Sequence, residues 1–87
     1  MFRIRFTEKA VKNLRKIDPS ITKMLLAWIS KNLEGVDNPR KVGKALRHDK
    51  KGAWRYRVGD YRILAKIEDN ILIILIIEVG HRKEIYK

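Results

Sequence analysis

Residues 54–86 read WRYRVGDYRILAKIEDNILIILIIEVGHRKEIY, and the reading of this stretch decides the fold. Residues 54–58 alternate apolar and basic side chains, Gly59-Asp60 interrupts, and a second strand pattern runs from Tyr61 to Ile67. A glycine-first, two-residue interruption between such runs signals a type II′ hairpin. That turn sets Val58 opposite Tyr61 and Arg57 opposite Arg62. Side chains leave a strand on alternate faces, so Trp54, Tyr56, Val58, Tyr61, Ile63 and Ala65 share one face, and Arg55, Arg57, Arg62, Leu64 and Lys66 share the other. Like charges directly opposed in an antiparallel pair are destabilising, and guanidiniums cannot relieve this by losing a proton. An anion is therefore expected on the basic face. A merely solvated arginine face is the plainer alternative; Arg82 and Tyr86, just past the next strand, weigh against it.

Glu68-Asp69-Asn70 makes the following turn, and 71–79 is apolar at every position except Glu78. A strand apolar on both faces belongs inside a sheet, and the N-terminal segment Phe2–Phe6, with Arg3 and Arg5 outward, is its natural second neighbour. Leu72, Ile74 and Ile76 are then expected beside Leu64 on the basic face, an apolar stripe of the kind that marks a partner site. Upstream, Thr7 is an N-cap, and Ala10, Val11, Leu14 and Ile17 recur at helical spacing up to Pro19. Asp18-Pro19 starts a second helix, whose Ile21, Met24, Leu25, Trp28, Ile29 and Leu33 line a core face and which Gly35 closes. The predicted fold is α+β: a strand, a two-helix hairpin and a three-stranded antiparallel meander in a four-stranded mixed sheet, β-α-α-β-β-β.

Residues 36–53 form a basic connection, with a short helical turn expected at Lys44 to Leu46. Lys44, Arg47, Lys50 and Lys51 are candidates for guiding a polyanion backbone, against the plainer role of a solvated linker; His48 is expected at the surface.

Length and composition bound the function. Eighty-seven residues make one domain, 1–87, able to bury roughly 60–65% of the unfolded chain's surface. Lys and Arg number 21 against 10 Asp and Glu, a net charge of +11 that favours nucleic acid or an acidic protein as partner. Cysteine is absent, which excludes disulfides, thiolate metal sites and a cysteine nucleophile. The N-terminus lacks a signal-peptide core and the longest apolar run is far short of the roughly 18–20 residues of a membrane helix. A cytoplasmic protein with no membrane partner is expected.

Three motifs carry a resemblance: Lys44-Ala45-Leu46, YRVGDYRI at 56–63, and GHR followed by IY at 80–86. Together they resemble the RelE/ParE superfamily of toxins from type II toxin–antitoxin modules, along essentially the whole chain. The resemblance implies a first strand parallel to the last and one of two activities. RelE-like members cleave messenger RNA in the ribosomal A site without a metal or other cofactor; ParE-like members inhibit DNA gyrase. A RelB-like antitoxin neutralises such toxins, and operator DNA is bound only through the antitoxin complex. Matched residue by residue, the RelE-like active positions fall on Arg55, Arg57, Arg62, Arg82 and Tyr86. Arg55 and Arg57 stand where that pattern has lysines, which leaves little scope for proton transfer at those positions. The tail is also shorter, without a C-terminal helix, and carries His81.

Metal-free RNA cleavage needs a base for the 2′-hydroxyl, cationic donors for the phosphorane-like transition state and an acid for the leaving 5′-oxygen. Arg57, Arg62 and Arg82 are candidates for the phosphate, Arg55 for an outer contact, Tyr86 for the base, and His81 for acid–base work. Gyrase inhibition without chemistry and RNA binding without cleavage are the competing readings.

Overall fold

The computed structural model describes residues 1–46 and 53–85. Its centre is the predicted hairpin. Strand β3 (Ala53–Val58) pairs antiparallel with β4 (Tyr61–Glu68), with Val58 opposite Tyr61 and Arg57 opposite Arg62. Gly59 has a φ of +60°, and Leu72 is the sole non-glycine residue at positive φ among those described, so Asp60 is on the negative side. That combination makes the turn type II′, since type I′ needs positive φ at both central residues.

Strand β5 (Ile73–His81) pairs antiparallel with β4, and β1 (Arg3–Phe6) lies parallel to β5 on its other side. Helices α1 (Glu8–Lys16) and α2 (Pro19–Asn32) connect β1 to the rest. Both caps are those expected. Thr7 accepts from the Ala10 amide at 3.1 Å, and Asp18 accepts from the Ser20 amide at 2.9 Å, with Pro19 in the first turn. The Ser20 hydroxyl, and after it the Ser20 amide, hold the Asp18 carboxyl below its usual range.

Two expectations are corrected. The sheet has five strands, not four, in the order β1-β5-β4-β3 and then a short edge strand. The extra one is β2 (Lys44–Ala45), where a helical turn was expected; Lys44 pairs with Arg55 and Ala45 with Trp54. An unpaired β3 edge attracts any extended segment that reaches it, and Gly43, at φ +79°, turns the chain onto it.

The second correction concerns faces. Ile74 and Ile76 are fully buried with Tyr56, Ile63, Ala65 and Leu25 in the core, not on the basic face. Counting back from Val79 opposite Ile63, strict alternation sends Ile74 and Ile76 outward. A register shift intervenes: Leu64 pairs with Glu78 but Ala65 pairs with Ile76. The extra residue inverts the alternation below it. The apolar stripe on the outer face is therefore Leu64, Ile73 and Leu75, all half-buried.

β1 stops at Phe6, so β5 continues past it without a strand on that side. Side chains next to and within α1 take over. The Thr7 hydroxyl donates to the Ile77 carbonyl at 2.7 Å, and Asn13 Oδ1 accepts from the Val79 amide at 3.1 Å. Asn13→Ala strands a part-buried amide, and a loss of about 1–3 kcal/mol is expected in denaturant unfolding.

The connection from α2 to β2 is pinned at three points. The Tyr56 hydroxyl donates to the Pro39 carbonyl at 2.7 Å, Trp54 Nε1 donates to the Val42 carbonyl at 2.8 Å, and Arg40 grips Asp69 through both carboxylate oxygens at 2.9 and 2.8 Å. Arg40 holds the Asp69 carboxyl below its usual range. Burial pushes the Tyr56 phenol from 10.0 up to about 12. An unfolded phenol gives up its proton near pH 10 while the folded one keeps it, so this contribution is complete below pH 10 and is lost as pH rises toward about 12. Stability is expected to fall by roughly 3 kcal/mol more over that interval in the wild type than in Tyr56→Phe, as read by unfolding midpoints; parallel curves would contradict this.

Candidate anion-binding cleft

β2 is only two residues long, so it covers β3 at Trp54 and Arg55 and leaves the edge beyond them open. At that edge lies a cleft of about 490 Å³ lined by Trp28, Val42, Gly43, Lys44, Arg55, Arg57 and Arg62. The three arginines of β3 and β4 thus meet in one cleft with Lys44, as their shared face required.

Their environments differ. Arg57 is exposed and Arg55 half-buried, whereas Arg62 is only 8% exposed. A buried guanidinium needs acceptors. Arg62 Nη1 donates to the carbonyls of Tyr61 at 3.2 Å and Gly59 at 3.4 Å, which fixes it beside the hairpin turn. Gly80 lies opposite Arg62 in the ladder and puts no side chain there. Gly43 sets the other wall: a Cβ added to it would sit 2.4 Å from the Arg55 carbonyl oxygen, so the loop approaches β3 as closely as only glycine permits. Planar donors on adjacent strands, plus an ammonium, suit the multidentate binding of a phosphate.

The tail is arranged otherwise. Instead of ending without a helix, β5 runs into a single turn, α3 (Arg82–Ile85). The Arg82 amide donates to the Asp60 carbonyl at 2.8 Å, bringing the start of α3 against the hairpin turn. The Arg82 side chain is exposed and is not among the groups lining the cleft. His81 is separated from the arginines by the sheet itself: it pairs with Tyr61, whose face is the core face, and its ring meets the Tyr61 ring edge-on at 5.5 Å. Tyr86, Arg47, Lys50, Lys51 and His48 lie outside the described residues.

Three lining residues were not singled out for the site from the sequence. Trp28 has the spacing of a core residue and does pack against Tyr56, with ring centroids 5.8 Å apart, but it is half-buried and its remaining surface lines the cleft. Periodicity reports which helix face is buried, not what one ring does on either side. Val42 and Gly43 are placed by the tryptophan hydrogen bond and the close approach, both of which are tertiary; the glycine ahead of a basic segment was the only local sign.

The profile of the ParE toxin of type II toxin–antitoxin systems, parDE, matches residues 4–86. Toxin RelG of Mycobacterium tuberculosis is 34% identical over 86 residues, covering 99% of this chain and 97% of that protein. The crystal structure of the toxin–antitoxin complex RelBE2 from Mycobacterium tuberculosis aligns with a TM-score of 0.83 and 33% identity over 93% of this chain and 91% of that one. The RelB–RelE antitoxin–toxin complex from Methanococcus jannaschii aligns with a TM-score of 0.70 and 28% identity over 95% of each. Matched along nearly its whole length in sequence and in backbone, the chain belongs to the RelE/ParE superfamily of toxins from type II toxin–antitoxin systems.

Proposed function

We propose that this toxin is an endoribonuclease that cleaves messenger RNA in the ribosomal A site, without a metal, and that a RelB-like antitoxin neutralises it. The observation that carries the reading is the meeting of Arg55, Arg57, Arg62 and Lys44 in one cleft. A surface that only binds another protein has no need to hold guanidiniums opposed across a strand pair, whereas a phosphate does.

In the reaction, the 2′-oxygen bonds to the neighbouring phosphorus and the bond to the 5′-oxygen breaks, leaving a cyclic phosphate and a free 5′-hydroxyl. Arg57 and Arg62 hold the non-bridging oxygens, where negative charge grows in the transition state. Arg55 and Lys44 hold the flanking backbone, and the same role falls to the basic side chains of Arg47, Lys50 and Lys51. Arg82 approaches from the hairpin turn, Tyr86 takes the 2′-hydroxyl proton, and water supplies the proton that the leaving 5′-oxygen acquires. His81, on the Tyr61 face, takes no step. The antitoxin partner is supported by the relatives solved as RelB complexes and by a net charge of +11, which calls for an acidic cover; operator DNA is bound through that complex.

The matching profile carries the ParE name, which favours a second reading: gyrase inhibition on the same scaffold. Primer extension on a translated message, with and without ribosomes, separates the two. Cleavage only with ribosomes is expected, reduced by roughly 10²–10³-fold in Arg57→Ala. No cleavage together with blocked gyrase supercoiling would replace this reading with the second, and equal cleavage of free RNA would remove the ribosome from it.

A further inference from the structure

The start of the tail is held at three successive residues. β5 delivers His81 opposite Tyr61, and the two rings meet edge-on at 5.5 Å and 80°. The next amide, that of Arg82, is taken by the Asp60 carbonyl at 2.8 Å. The one after it, that of Lys83, donates to His81 Nδ1 at 3.2 Å. His81 directly precedes α3, so it stands at the N-cap, and a cap side chain accepts from the amide of the second or third helical residue. The imidazole therefore does what asparagine or aspartate does at ordinary helix starts, with its ring anchored on the sheet.

We propose that His81 is a positioning residue: its Nδ1 caps the first turn of α3, and through that turn it sets where Arg82 stands against the hairpin. The contact requires a bare Nδ1, which for a neutral ring places the proton on Nε2. A ring engaged in this way, on the face away from Arg57 and Arg62, is committed to holding the tail and not to moving a proton in the cleft.

The activity arm of the test rests on the proposed RNA cleavage; the spectroscopic arm does not. His81→Asn keeps a cap acceptor and loses the ring, His81→Phe keeps the ring contact and loses the acceptor, and His81→Ala loses both. In the wild type, ¹⁵N spectra are expected to show the Nε2-protonated ring. Exchange of the Lys83 amide is expected to speed up about fivefold in His81→Phe and His81→Ala, and to stay near the wild-type rate in His81→Asn. Ribosome-dependent cleavage is expected to follow the same order, with His81→Asn retaining it. The proposal is overturned if His81→Phe protects Lys83 as well as the wild type does, which would make the ring contact the anchor. It is equally overturned if His81→Asn protects Lys83 but abolishes cleavage, which would make the imidazole a proton carrier. Should the wild type cleave nothing, the exchange rates and the ring tautomer still decide whether the cap exists.

Discussion

Arg57 and Arg62 pair directly opposite one another across a hairpin, on the face away from the core, and most of the molecule is organised to keep that register. The type II′ turn at Gly59-Asp60 leaves no other register for Arg57 and Arg62. Neither can shed its proton, and the alternation that buries Tyr56, Ile63 and Ala65 on one face forbids either arginine from moving to the other. Sliding the pairing by one residue would relieve the repulsion and expose the core. The hydrophobic core thus keeps two like-charged residues paired on one face, the arrangement on which the proposed phosphate binding rests.

The surrounding scaffold limits how far this arrangement can relax. Arg62 is drawn in and tied to the carbonyls of the turn it follows, while Arg57 remains exposed. Trp54 and Tyr56 on the buried face reach through their polar ends to the loop that carries Gly43 and Lys44, so one strand supplies both a cationic wall and the anchors of the opposite wall. Thr7 and Asn13 take the β5 backbone groups that β1 leaves unpaired. A short edge strand and a glycine seated against β3 complete the cleft, and a bidentate Arg40–Asp69 pair holds the loop that leads into it.

What could be read from the chain was what depends on neighbours in sequence. The hairpin turn, the Thr7 and Asp18 caps, the arginine face and most of the helix faces follow from residues within a few positions of each other, although Met24, assigned to the core by its spacing, is exposed. The losses have a common cause. The bulge that turned Ile74 and Ile76 inward is a mismatch between two strands and leaves no mark in an unbroken apolar run. Strand β2 exists because β3 has an edge to offer, and its own residues are equally at home in a helix. Trp28 reads as core from its spacing and is only partly so. His81 drew notice as a titratable group next to arginines in sequence; the ladder puts it on the other face.

The most direct measurement is the unfolding of Arg57→Gln at low and high salt beside its affinity for a short RNA. If Arg57 and Arg62 are held in repulsion for a phosphate, the variant is more stable than the wild type at low ionic strength, the gain shrinks as salt screens the pair, and RNA affinity falls. A variant that is less stable at low salt, or that binds RNA as tightly as the wild type, would contradict the account.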